Sequence, residues 1–316
     1  MKGSYGKIIR VIMAVGLVVF LLLKVDWGEM WLKIQQARPG WLLAFTFFYF
    51  LGIMISARKW QVLARFLGFQ YKYFFYYKNY LLGSFINNFL PSFVGGDTYR
   101  VYRLGSRTND LKKSSLTVIA DRLSGLVGIM ILAGFFAILN YSALQQKIAV
   151  NLLLAIVWGG LLLGGITLVC FQSNFGQKFL KILPKAFGDY IKKFVRFKSG
   201  KILFSMFGYS FLFAFLGIAI PNFFLFKAFG VELSFFDFLS VAFLTNLVAS
   251  LPISVGNIGI KEWAYVFFFG IFGVDLTVAV AVVMVARVIQ MLVSLLALPF
   301  YFQSKTELIV NKKLNK

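Results

Sequence analysis

Apolar residues run along this chain in long blocks separated by short stretches rich in lysine and arginine. A helix needs about 20 mainly apolar residues to cross roughly 30 Å of hydrocarbon. Six blocks meet that length, at approximately residues 8–24, 40–57, 115–140, 149–171, 202–227 and 276–302. Two more, 80–99 and 236–272, are apolar but interrupted by proline and glycine, which makes them candidate re-entrant segments rather than straight spans. The pattern predicts an all-α fold. It is that of a polytopic helical membrane protein, with residues 1–316 forming a single integral membrane domain of about six full spans and two broken-helix segments.

Composition closes off other classes. The chain is 60% hydrophobic and 14% charged, far from the balance of soluble domains. Histidine is absent and Cys170 is the only cysteine, so imidazole catalysis, a disulfide framework and clustered metal ligands are excluded. No cofactor or metal is expected. The net charge of +22 does not point to nucleic acid, because the basic residues lie in short loops between apolar blocks. Residues 1–23 resemble a signal peptide, but Lys24-Val25-Asp26-Trp27 follows without a small-x-small cleavage site, and the segment reads as an uncleaved first span.

Loop charges set an orientation, since lysine and arginine favour the cytoplasmic side. Residues 58–79 and 100–113 carry five each, 172–201 eight and the tail after 302 four, against three in 24–39, one in 141–148 and none in 228–235. Both termini inside a cell membrane places every rich loop in the cytoplasm, provided each broken segment enters and leaves on one side. Hairpins satisfy that condition; half-spans that each cross are the alternative. The basic stretch 172–201 resembles an amphipathic helix lying on anionic lipid, or serves only as a topology signal.

The two breaks match. Leu90-Pro91-Ser92-Phe93-Val94-Gly95-Gly96 and Leu251-Pro252-Ile253-Ser254-Val255-Gly256-Asn257 both read Leu-Pro-x-x-Val-Gly. Each leads to an acid, Asp97 or Glu262, and then to a span with an embedded arginine, Arg122 or Arg287. Three full spans lie between the breaks, so the second copy is inverted. The first repeat covers about 40–140 and the second about 202–302. Inverted repeats meeting at discontinuous helices are the plan of many transporters, with the substrate site near mid-membrane.

The breaks leave backbone groups to be satisfied at depth, and half-helix N-termini after Gly96 and Gly259 suit a phosphate or another anion. Asn87, Asn88, Ser92, Thr98, Ser254 and Asn257 offer neutral hydrogen bonds. Arg287 lies roughly 17 to 22 Å from either end of its span. Its charge would cost at least about 2.5 to 3.5 kcal/mol unpaired. It faces either a structural partner, Glu262 or Asp97, or a lipid phosphate. Arg122, nearer the cytoplasmic end, snorkels, pairs with Asp121 or takes part in the same site. Asp97 and Glu262 either balance the arginines or couple transport to protons.

These residues carry a family resemblance. Asn87-Asn88-Phe89-Leu90-Pro91 with Gly95, Gly96, Asp97 and Arg100, then Asp121-Arg122, and Leu251-Pro252 with Gly256, Gly259, Lys261 and Glu262 resemble the transmembrane region of the lysylphosphatidylglycerol synthases. These are the multiple peptide resistance factors, and the likeness extends to their stand-alone flippase-like relatives. It spans about residues 8–302. It implies movement of a lipid, such as an aminoacylated phosphatidylglycerol, between leaflets; the synthase domain of the larger members has no counterpart after Phe302.

The reading is therefore a lipid flippase or transporter, not an enzyme, that moves an anionic, aminoacylated or polyprenyl-phosphate-linked lipid. Its headgroup site would be drawn from Asn87, Asn88, Pro91, Gly95, Gly96, Asp97, Arg100, Arg122, Pro252, Gly256, Asn257, Gly259, Glu262 and Arg287. Partners are membrane lipids with anionic headgroups, not nucleic acid; a second copy or a lipid-modifying enzyme is also open to it. The alternatives are a membrane accessory subunit or enzyme of lipid-linked glycosylation, with Asp97 or Glu262 as base, and a regulatory membrane protein.

Overall fold

The computed structural model describes residues 23–89, 95–172, 200–250 and 257–302. All regular structure among them is helical. In chain order the elements are α1 (Trp27–Gln35), α2 (Pro39–Phe66), α3 (Tyr73–Phe89), α4 (Gly95–Gly105), α5 (Leu111–Leu139) and α6 (Ile148–Gln172). Then come α7 (Gly200–Leu212), which runs through a π-helical stretch, Phe213–Ala219, into α8 (Ile220–Ala228), and α9 (Phe235–Ala249), α10 (Ile260–Gly270) and α11 (Leu276–Ser294).

Among the described residues five helices are long and apolar enough to cross a membrane: Pro39–Phe66, Leu111–Leu139, Ile148–Thr167, Phe204–Ala228 and Leu276–Phe302. They correspond to five of the six blocks read from the sequence. The sixth block, 8–24, and the basic stretch 172–201 fall almost wholly outside the described residues. Helix starts follow local chemistry. Pro39 sits in the first turn of α2, where its missing N–H costs nothing. Asp110, Ser234 and Asp275 cap α5, α9 and α11 by accepting backbone N–H groups of the first turn.

In the two interrupted blocks α3 runs to Phe89 and α9 to Ala249, and helix resumes at Gly95 in α4 and at Ile260 in α10. The helices flanking each interruption pack antiparallel. In the first pair Arg107, just past α4, lies 5.0 Å from the ring of Phe75 near the start of α3, while Asn87 near the end of α3 accepts the N–H of Gly96 at 2.8 Å. In the second pair the rings of Phe238 and Phe269 are 5.5 Å apart, and Asn257 donates to the carbonyl of Ala249 at 2.6 Å. The described helices on either side of each break thus pair as an antiparallel hairpin.

Residues of α5, α6, α8, α9, α10 and α11 supply the main apolar core, including Phe136, Phe226, Phe238, Phe243 and Phe269. A second cluster around Trp60, Tyr76 and Leu104 joins α2 to the first hairpin. α6 is peripheral, and Leu152, Ile156, Leu162, Leu163 and Ile166 leave its apolar side uncovered. In a bilayer that surface is solvated by lipid tails. At the centre α2 crosses the π-helical stretch, where a Cβ on Gly52 would stand 2.6 Å from the Cα of Gly217. Only glycine permits that approach.

Candidate functional site

α4 begins at Gly95, directly after the first break, and its first turn is held by the Asn87 side chain. A Cβ on Gly96 would collide with the carbonyl oxygen of Gly83, so glycine there lets the hairpin close tightly. Asp97 follows as the third residue of α4. Its carboxylate takes Arg122 Nε at 2.8 Å and Arg100 Nη1 at 3.3 Å. Arg100 continues inward: Nη2 reaches Asp121 at 2.7 Å, and its guanidinium lies 4.2 Å from the ring of Trp60 and 4.4 Å from that of Tyr80. Lys59 closes the set, with Nζ 3.1 Å from Asp121 Oδ1. Lys59, Arg100 and Asp121 are all buried, at 4%, 3% and 3% exposure, and such charges persist only as a bonded group.

The second hairpin builds a similar motif. Gly259 adopts φ 86°, and its N–H is accepted by Glu262 at 2.8 Å. Glu262 is the third residue of α10, as Asp97 is of α4. Its other oxygen receives Arg287 Nε at 2.7 Å, and Arg287 Nη2 donates to the Asn257 carbonyl at 3.0 Å. Acid and arginine are 25 residues apart in both motifs, and both ion pairs use Nε. Arg122 and Arg287 are each the twelfth residue of their helix. Asn257, at φ 56°, holds a left-handed conformation that asparagine tolerates better than most residues.

Between the motifs lies a cavity of about 260 Å³. The first hairpin and the helices beside it contribute Tyr80, Asn87, Gly96, Asp97, Arg100 and Arg122; the second hairpin and its neighbours contribute Asn222, Asn246, Lys261, Tyr265 and Gln290. Tyr265 donates to Asn222 at 2.7 Å, and Asn88 donates to the carbonyl of Gln290 at 3.2 Å, tying the first hairpin to α11.

Of the residues singled out from sequence, Asn87, Gly96, Asp97, Arg100 and Arg122 therefore line the cavity, and Gly95 opens the helix that carries three of them. Asn257, Gly259, Glu262 and Arg287 gather in the second motif, off the cavity wall, while Lys261, next to Glu262 in the chain, lines it. Pro91, Pro252, Gly256, Ser92 and Ser254 lie outside the described residues. Arg122 Nε bonds Asp97 at 2.8 Å. Successive residues on a helix point about 100° apart, which turns Asp121 inward to Lys59 and Arg100. Sequence reasoning missed Lys59, which was counted in a basic loop. No glycine or proline interrupts the chain between Ala57 and Leu67, a signal that α2 continues past Lys59.

Apolar spanning helices around a polar, charge-lined cavity between two hairpins define a polytopic α-helical membrane protein with an internal ligand-sized space. The lysylphosphatidylglycerol synthase transmembrane region family matches residues 7–297, and the chain belongs to that family. It is 24% identical to a UPF0104 membrane protein of Methanothermobacter thermautotrophicus, over 97% of this chain and 98% of that one. It is 26% identical to the UPF0104 membrane protein PH1989 of Pyrococcus horikoshii, over 90% and 92% of the two chains. No solved structure matches.

Proposed function

We propose that this chain is a lipid translocator of the cell membrane, in which the cavity between the hairpins receives a headgroup while the acyl chains stay in the bilayer. The observation that carries this reading is the cavity itself. Its wall is drawn from both hairpins, and it carries Asp97, Arg100, Arg122 and Lys261 among apolar spanning helices. Its 260 Å³ falls below the roughly 300 to 1,000 Å³ of sites that engulf whole small molecules, which suits a headgroup without its tails.

The matched motifs support an inverted repeat. α2, the first hairpin and α5 form one copy, about 40–140; α7 with α8, the second hairpin and α11 form the other, about 202–302. α2 and the π-helical stretch occupy equivalent places, and Gly52 meets Gly217 where they cross. Contacts between helix ends agree with the grouping of loops on two faces, and the loop charges then assign those faces. Arg38 N–H bonds the carbonyl of Ala228 at 2.9 Å, and Asn140 bonds Asp237 at 2.6 Å, both between ends assigned to the outer face. Phe74 meets Phe300 with ring centres 5.6 Å apart at the face assigned to the cytoplasm. The hairpins then enter from opposite sides, and rocking one repeat on the other would expose the cavity to each leaflet in turn. The carboxylates act as structural counter-ions, and no chemical step is assigned to them.

The test is leaflet exchange in proteoliposomes. Wild-type protein should dissipate the asymmetry of a fluorescent anionic lipid well above the rate of protein-free vesicles. Asp97→Asn with Arg122→Gln, which removes one charge of each sign and leaves Arg100 paired to Asp121, should slow it. A wild-type rate equal to that of empty vesicles, for several headgroups, removes this function.

A further inference from the structure

The following rests on the translocator reading and narrows the cargo. Five cationic side chains, Lys59, Arg100, Arg122, Lys261 and Arg287, stand in or beside the cavity against three acidic ones, Asp97, Asp121 and Glu262. The site thus carries two more positive charges than negative. The break segments 90–94 and 251–256 contain no charged residue and leave that balance unchanged.

Each carboxylate has a cation beside it, although Asp121 Oδ1, 3.1 Å from Lys59 Nζ, accepts no hydrogen bond among the described residues. Asp97 holds Arg100 and Arg122, Asp121 holds Lys59 and Arg100, and Glu262 holds Arg287 and the N–H of Gly259. An ammonium group entering the cavity would meet no carboxylate without a cation already on it, and would add like charge to an electropositive space. A cationic donor is left over on the wall. Lys261 is on the wall, and its amine has no hydrogen-bond or ion-pair partner among the described residues. The Nε–H of Arg100 is buried and has no acceptor among them. An ammonium with three N–H groups on the wall, beside the guanidinium groups of Arg100 and Arg122, is a donor for an oxyanion.

We infer that the cavity accepts a terminal phosphate carrying close to two negative charges, a phosphomonoester or diphosphate, with Lys261 as its main contact, and that it discriminates against aminoacylated headgroups. A phosphomonoester supplies about 1.5 to 2 negative charges at neutral pH and three acceptor oxygens. A lysyl ester of phosphatidylglycerol brings one phosphate charge and two ammonium groups, the wrong sign for this site.

The experiment uses full-length protein in phosphatidylcholine vesicles. Leaflet exchange is compared for four lipids labelled on the acyl chain: phosphatidic acid, phosphatidylglycerol, lysylphosphatidylglycerol and phosphatidylcholine. Phosphatidic acid should exchange at least about tenfold faster than lysylphosphatidylglycerol, the scale of one charge-assisted hydrogen bond gained or lost. Lys261→Gln should collapse that ratio and Lys261→Arg should retain it. The comparison among lipids needs only wild-type protein, so a variant that fails to fold does not spoil the test. Equal or faster exchange of lysylphosphatidylglycerol, or no advantage of phosphatidic acid over phosphatidylglycerol, overturns this inference while leaving translocation standing. Uptake of radiolabelled inorganic phosphate into the same vesicles separates the sources: uptake without lipid exchange keeps Lys261 as a phosphate contact and overturns the translocator reading. No movement of any lipid or of phosphate overturns both.

Discussion

The ion pair of Glu262 and Arg287 is the most quantitative handle on the second hairpin. Glu262 is 2% exposed, and about a quarter of the Arg287 side chain is accessible, so the acid depends on its partner more than the arginine does. Arg287→Gln leaves the carboxylate with the Gly259 N–H and no counter-ion. Breaking a buried pair on one side costs about 3 to 5 kcal/mol; partial access of Arg287 to solvent puts the expectation at the lower end. Glu262→Gln keeps an acceptor for Gly259 and leaves a cation that can turn outward, so it should cost less, about 1 to 2 kcal/mol. The double variant Glu262→Gln/Arg287→Gln buries no charge and should regain part of the loss. Thermal unfolding in detergent of wild type, both single variants and the double variant closes the cycle. The coupling should be favourable to the native pair by about 1 to 3 kcal/mol, the range for contacting residues. If the single effects simply add, or Arg287→Gln is the mildest of the three, the second motif is not held by this pair.

Two other expectations follow from the packing and the topology. Gly96→Ala places a methyl group against the Gly83 carbonyl and should destabilise the first hairpin by about 1 to 3 kcal/mol, read as a lower unfolding temperature; unchanged stability would mean that the hairpin is not closed at this point. On a Cys170→Ser background, Thr108→Cys and Glu232→Cys should label with an impermeant thiol reagent from opposite faces of the membrane, and labelling from one face contradicts the orientation.

The spans were legible because twenty apolar residues in a row have few other meanings, and the breaks because proline and glycine interrupt them at matched places. The charge partners were harder to read. Arg287 faces Glu262 because both follow the same break at fixed helical positions, and the common 25-residue spacing was present in the sequence. Spacing alone does not tell which acid meets which arginine, as Arg122 shows by reaching Asp97 on another helix. Lys59 was invisible for a different reason. Loop charge locates membrane faces on average, but a single lysine can ride a continuing helix into the protein when an acid awaits it, here Asp121. Asn222, Asn246 and Tyr265 lie on the cavity wall through tertiary packing of α8, α9 and α10, and no local pattern marks them.

Cross-linking locates the headgroup most directly. A phosphatidic acid analogue with a photoreactive group beside its phosphate, activated in proteoliposomes and mapped by mass spectrometry, should label peptides of both hairpins, around Tyr80 to Asn87 and around Lys261 to Tyr265. Excess unlabelled phosphatidic acid should suppress that labelling. Labelling confined to the outer apolar faces, such as Leu152 to Ile166 of α6, would contradict a headgroup site between the hairpins.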